Sequence, residues 1–120
     1  MLQRMTRSEE QVMRVLWQSD QPLSCAEIVE LSGDKTWKDS YVHSLIKSLT
    51  NKGMVTVGAF ELVSRSYARK FAPKISYAEY VLLSSFSEED FQDTEMMTAF
   101  CETFWRFAGS EALRKRIKHL

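Results

Sequence analysis

The sequence predicts a mainly α-helical protein with one small β-hairpin, and three observations support this fold class. Apolar residues recur at intervals of three and four through much of residues 7–51 and again after residue 76, as in amphipathic helices. Residues that cap helices precede several of these stretches. Residues 54–72 instead contain two stretches that alternate in polarity, which is typical of paired strands.

Two capping boxes mark the starts of the first two helices. In each box a hydroxyl residue precedes a glutamate by three positions, Thr6 with Glu9 and Ser24 with Glu27. Each side chain can then bond the backbone amide of the other residue. Pro22 ends the first helix, because a proline disfavours helical backbone at the residue before it.

A third helix and a hairpin follow. The helix is predicted to begin near Lys38 or Asp39 and to end at a glycine. A strand is expected over residues 54–60, a loop over residues 58–64 and a returning strand over residues 65–72. The apolar stripe of the third helix has the spacing i, i+3, i+4, i+7 and consists of Val42, Leu45, Ile46 and Leu49.

This order of elements, three helices and then a hairpin, is that of a winged helix-turn-helix domain. Residues 76–120 indicate further helices, with a break near residues 87–90. We therefore predict a winged helix-turn-helix domain over residues 1–75 and a helical dimerisation domain over residues 76–120.

Composition excludes several classes of protein. No apolar run approaches the roughly 20 residues that cross a bilayer, and the charged N-terminus does not resemble a signal peptide, so we expect a cytoplasmic protein. Cys25 and Cys101 are far apart and share no metal-ligand spacing with His43 or His119. We expect free thiols, no metal site and no cofactor. The absence of a phosphate-binding glycine loop and of a nucleophile elbow argues against an enzyme.

The net charge of zero hides an uneven distribution. Residues 1–75 carry 11 basic and 8 acidic residues, whereas residues 76–120 carry 5 basic and 8 acidic residues. Over residues 35–74 the net charge reaches +6, and this stretch contains the third helix and the hairpin. A basic region in these two elements favours DNA as the partner.

In a helix-turn-helix the third helix enters the major groove, so its polar face is the candidate site. Serine and lysine side chains can bond base edges or phosphates, and a wing can reach an adjacent phosphate or the minor groove. The candidate DNA-binding residues are Lys38, Ser40, Tyr41, His43, Ser44, Lys47, Arg65 and Lys70. The other interpretation of each residue is a polar side chain that only meets water.

The chain resembles the family of penicillinase and methicillin-resistance repressors and their copper-transport relatives. The resemblance rests on Thr6 to Trp17, Ser24 to Ile28, Trp37 to Gly53 and Arg65 to Pro73. These stretches are similar to the family's first helix, second-helix start, recognition helix and wing return strand. The match covers about residues 5–80.

The resemblance implies a homodimeric repressor on dyad-symmetric, double-stranded operator DNA, with recognition residues on the third helix. It also implies a sensor-linked protease as a partner. The chain departs from the family at Tyr41 and Ser48, so its operator need not be the family's. Cys101 alone cannot form the cysteine cluster of copper-responsive members. Penicillin-responsive members are cleaved at an Asn-Phe bond in the C-terminal region, and the comparable place in this chain, Ala99-Phe100, lacks the asparagine.

The C-terminal region carries more large apolar residues than an exposed tail would. A partner subunit is the simplest cover for them, because burial of each Phe or Met side chain contributes about 1.5–3 kcal/mol. The alternatives are a self-contained helical core and a Met-lined pocket for an apolar ligand. The predicted dimer interface consists of Phe86, Met97, Phe100, Phe104, Trp105, Leu113 and Ile117.

Two other functions fit parts of this pattern. A winged-helix module can bind proteins and never meet DNA, in which case the basic third helix and hairpin have no nucleic-acid role. A winged helix can also be the dimerisation domain of a larger enzyme, such as a methyltransferase. No catalytic domain follows within the 120 residues, so the sequence favours this enzyme hypothesis least of the three functions.

Overall fold

The computed structural model describes residues 3–119, which are mainly helical with one two-stranded antiparallel sheet. This architecture confirms the predicted fold class. A 3₁₀ turn over Asp39–Tyr41 leads into the third helix. The elements are α1 (Arg7–Gln18), α2 (Cys25–Leu31), α3 (Val42–Asn51), β1 (Val55–Val63), β2 (Ser66–Pro73), α4 (Tyr77–Ser85), α5 (Glu88–Gln92), α6 (Thr94–Ala108) and α7 (Glu111–Ile117).

Both predicted capping boxes are present. The backbone amide of Glu9 donates to the Thr6 hydroxyl at 3.2 Å, and the amide of Thr6 donates to the Glu9 carboxylate at 2.8 Å. Ser24 and Glu27 repeat the exchange at 3.2 and 3.0 Å. These bonds satisfy amides at the helix starts that have no partner within the helix.

The core of the winged domain lies where α1, α2 and α3 meet the base of the hairpin. Leu23 forms a single antiparallel β-bridge with Phe71, which adds one paired residue beside β2. Gly53, at φ +73°, lets the chain leave α3 and turn into β1. The buried side chains from the three helices are Val12, Met13, Leu16, Ile28, Val42, Leu45, Ile46 and Leu49.

The hairpin is longer than predicted, and the expected loop over residues 58–64 is wrong. β1 continues through Gly58 to Val63, and only Ser64 and Arg65 form the turn. The ladder shifts between Val57 and Ala59, so Gly58 forms a β-bulge. A Cβ atom on Gly58 would lie 3.0 Å from both Ala72 Cβ and Pro22 Cγ, and this close approach explains the glycine.

The described residues divide into two compact units, 3–81 and 82–119. The first unit contains the winged fold and the start of α4, where Trp17 Nε1 donates to the Ile75 carbonyl at 2.9 Å. The Trp17 ring also packs on Tyr77 and Tyr80, with centroids 5.1 and 5.0 Å away. This aromatic cluster fixes the first turns of α4 against α1.

The second unit contains α5, α6 and α7. Phe86 is buried in it, with its ring 5.7 Å from Phe91 and 4.7 Å from Phe100. Ser87 and Ser110 cap α5 and α7. No helix among residues 3–119 has the length and apolarity needed to span a membrane.

Candidate nucleic-acid interface

The polar face of α3 and the turn before it point to solvent. Ser40, Tyr41, His43, Ser44 and Lys47 are exposed, and α3 itself contains no acidic residue. The opposite face is the buried apolar stripe, so the helix is amphipathic. The outward face offers hydroxyls, an imidazole, a phenol and an ammonium group as hydrogen-bonding groups.

A buried ion pair holds the C-terminal end of α3 against the start of α1. Lys52 Nζ lies 2.7 Å from Glu9 Oε1, and the Ser48 hydroxyl donates to Glu9 Oε2 at 2.7 Å. Lys52 also donates to the Arg4 carbonyl at 2.9 Å. Burial alone would raise the pKa of Glu9, but bonds from Lys52, the Thr6 amide and Ser48 outweigh it and lower the pKa to about 2. The carboxylate is therefore ionised throughout the neutral range.

The segment before α3 is fixed by a second set of contacts. Lys35 Nζ lies 2.6 Å from an Asp39 carboxylate oxygen and 5.3 Å from the centroid of the Trp37 ring. Trp37 is buried, and its indole N–H has no acceptor among the described residues. Gln11 accepts from the Thr36 hydroxyl at 3.1 Å. Lys38 is exposed at the start of the 3₁₀ turn.

The basic residues of the wing differ in whether they have an acidic partner. Lys70 Nζ lies 3.1 Å from a carboxylate oxygen of Glu27 on α2 and 3.1 Å from one of Glu61 on β1. Both carboxylates raise the pKa of Lys70. Arg65 and Arg69 are exposed and have no acidic partner among residues 3–119. The alternation along β2 is the signal that distinguishes Arg69 from Lys70.

A groove of about 850 Å³ lies between α2, α3 and the wing. His43 and Lys47 line it from α3, and Tyr67 and Arg69 line it from the wing. Cys25 lies on the α2 side, half-buried, and burial raises the pKa of its thiol. The groove therefore brings two predicted DNA-binding residues of α3, His43 and Lys47, close to Arg69.

The predicted dimer residues differ in how far their side chains are exposed to solvent. Phe86 is buried within its own unit and has little surface for a partner. Phe100 and Phe104 are exposed on α6, and Phe107 is 83% exposed. The predicted set lacks Phe107, although its spacing from Phe100 and Phe104 puts all three on one helix face. Half-buried positions are occupied by Met97, Trp105, Leu113 and Ile117.

A metal site and an apolar ligand site near α5 would each require particular side chains from the described residues. No group of three or more His, Cys, Asp or Glu side chains among residues 3–119 is placed to hold a metal ion, and Cys25 and Cys101 are free. A cavity beside α5 is lined by Glu88, Glu89 and Asp93 together with Phe91 and Gln92. Its three carboxylates do not suit an apolar ligand.

Three packed helices, a basic hairpin and an outward polar face on the third helix define a winged helix-turn-helix domain. The chain matches the penicillinase repressor family over residues 5–104, and it belongs to that family. The family is one of transcriptional repressors. No sequence among curated proteins matches the chain.

Proposed function

We propose that the protein is a homodimeric repressor that binds a dyad-symmetric operator in double-stranded DNA. The observation that carries the proposal is the acid-free outward face of α3, which lines a groove together with the unpaired Arg69 of the wing. The major groove admits an α-helix, and α3 presents a short polar face of the kind that reads base edges. Ser40, Tyr41, His43 and Ser44 are the proposed reading residues.

Cations on both elements supply the proposed phosphate contacts. Lys47 lies on α3, Lys38 lies just before it, and Arg65 and Arg69 lie on the wing. Phosphate contacts contribute most of the affinity of DNA-binding proteins and set the register of the reading helix. We assign Lys70 a different role, because its ammonium group already bonds two carboxylates and orients β2 against α2.

The proposed dimer forms through α6. Phe100, Phe104 and Phe107 follow the spacing i, i+4, i+7, and their exposed fractions are 38%, 43% and 83%. A continuous exposed apolar stripe of this kind is costly in water and typical of helix–helix interfaces. A dimer would present two α3 helices to half-sites about 34 Å apart.

The proposal is tested by selecting bound sites from random double-stranded DNA and then measuring affinity against salt. With about 4–8 phosphate contacts per dimer, log K should fall with a slope of roughly −4 to −7 against log salt. We expect a two-fold symmetric site and a dimer by light scattering. If no sequence is enriched, or if affinity does not respond to salt, the operator function is wrong.

A further inference from the structure

The outer half of the wing exposes four large apolar side chains, three of them on one face of the ribbon and Val63 on the other. Phe60, Leu62 and Tyr67 are 65%, 60% and 70% exposed. The strand register pairs Phe60 with Arg69 and Leu62 with Tyr67. Because directly paired residues project to the same side of a sheet, these four side chains form a single patch, here called the wing face.

The charges on the wing face have one sign. Arg69 lies within it, and Arg65 lies in the adjoining turn. By the strand register Glu61 projects from the other side of the ribbon, where it bonds Lys70, and it also lines the groove that Tyr67 and Arg69 line. The wing face therefore combines apolar side chains with the unpaired cation of Arg69, next to Arg65 in the turn, and the strand register puts no acidic residue on it. This combination makes it complementary to a polyanion with an apolar interior.

We infer that the wing face enters the minor groove of DNA and acts as an apolar wedge that bends the duplex. The inference rests on the proposed operator binding and adds a mechanism to it. Phe60, Leu62 and Tyr67 would press between base pairs at a step, while Arg65 and Arg69 contact the flanking phosphates. Minor-groove proteins insert apolar side chains in this way and kink DNA by about 20–90°.

The shape of the wing suits this role. The ribbon extends about five residues past the bulge at Gly58, or roughly 17 Å at 3.4 Å per residue. Two-stranded ribbons and sheets are known to bind DNA grooves. Bending is favoured at flexible pyrimidine–purine steps, so the wedge would also add sequence preference at bases that α3 does not touch.

A second copy of the chain fits the wing face less well. A symmetric contact between two wing faces would bring the same patch together from both copies. Each copy would bring Arg69 into the contact, and neither wing face has an acidic residue to pair with it. Like charges in such a contact oppose association.

The test uses the full-length protein and the operator obtained by selection. Bend angles are measured by energy transfer between dyes on the two DNA ends, and 2-aminopurine at each position reports unstacking. We expect wild-type protein to bend DNA by at least about 20°. Phe60→Ala combined with Tyr67→Ala should abolish most of the bend and the 2-aminopurine signal, and weaken binding by roughly tenfold. Tyr67→Phe keeps the ring and should retain the bend.

The matched control is Leu31→Ala, since Leu31 is a large apolar residue on α2 with 60% exposure outside the wing. It should leave both bend and affinity unchanged. Salt-dependent operator binding without a bend, or a bend that the double variant retains, would overturn the wedge while leaving the operator function intact. Failure to bind any DNA would overturn both. A double variant that loses dimerisation but keeps the bend would make the wing face a contact between copies.

Discussion

The ammonium group of Lys52 lies 2.7 Å from the buried carboxylate of Glu9, and this contact joins the end of α3 to the start of α1. Glu9 is 2% exposed and also takes part in the capping box with Thr6. One carboxylate therefore caps α1, accepts from Ser48 and pairs with Lys52. Loss of one partner from such a buried pair leaves the other charge uncompensated, which is strongly destabilising.

Replacement of Glu9 by Gln should lower the free energy of unfolding by about 3 kcal/mol, because Lys52 loses its counter-charge. The matched control is Glu10→Gln, which removes the exposed pair with Arg14 and should cost less than about 1 kcal/mol. Urea unfolding at equal protein concentrations checks both values, since dimerisation makes stability depend on concentration. Equal effects of the two substitutions would contradict the central role of Glu9.

Stability should also respond to acid through Glu9. Its pKa is lowered from 4.5 to about 2 in the folded protein, so the charged form stabilises the fold above pH 4.5. That contribution, about 3 kcal/mol, is lost as the pH falls from 4.5 towards 2. The difference in unfolding free energy between wild type and Glu9→Gln should therefore narrow over this range. A difference that stays constant down to pH 2.5 would contradict the prediction.

Lys47 and Lys70 should affect DNA binding in different ways. Lys47→Ala should reduce the slope of log K against log salt by about one for each subunit, because a phosphate contact is lost. Lys70→Ala should weaken binding with little change in slope, because Lys70 neutralises Glu27 and Glu61 in the folded wing. Lys115→Ala on α7 is the control for general charge. A full unit of slope lost with Lys70→Ala would mean that Lys70 contacts a phosphate.

Phe107→Ala should weaken the dimer. Each buried Phe contributes about 1.5–3 kcal/mol, and the dimer would lose two, so its dissociation constant should rise by about a hundredfold or more. Light scattering over a dilution series measures the change, with Leu31→Ala as the control for loss of an exposed apolar side chain. An unchanged dimer would place the interface elsewhere than on this stripe.

The alkylation rates of the two free thiols should respond differently to bound DNA. Cys25 lines the groove between α2, α3 and the wing, whereas Cys101 is exposed on α6. Operator DNA should slow the alkylation of Cys25 by maleimide and leave Cys101 unaffected. Mass spectrometry of peptides after timed labelling separates the two sites. Equal protection of both thiols, or of neither, would contradict the proposed position of the DNA.

Local signals in the sequence predicted much of the fold. Thr6 and Ser24 identify their helices because a capping box is a short-range pattern, and the apolar stripe of α3 sets its buried face. The pairing of Lys70 with Glu27 depends on the packing of β2 against α2 across 43 positions, and local periodicity carries no such information. Phe86 looks like an interface residue because its hydrophobicity is visible, whereas its burial by Phe91 and Phe100 is not.

The sequence predicts that Gly58 begins a loop, since glycine is a common turn signal, yet Gly58 forms a bulge within a continuous strand. The bulge shifts the alternation of side chains along β1 by one residue relative to β2. Without it, plain alternation from the Val57–Phe71 pair would place Ala59 opposite Arg69 and Glu61 opposite Tyr67. Glu61 would then project from the wing face, which has no acidic residue in the observed register. A single residue without a side chain thus keeps Glu61 off the face that carries Arg69, so that this face stays positively charged.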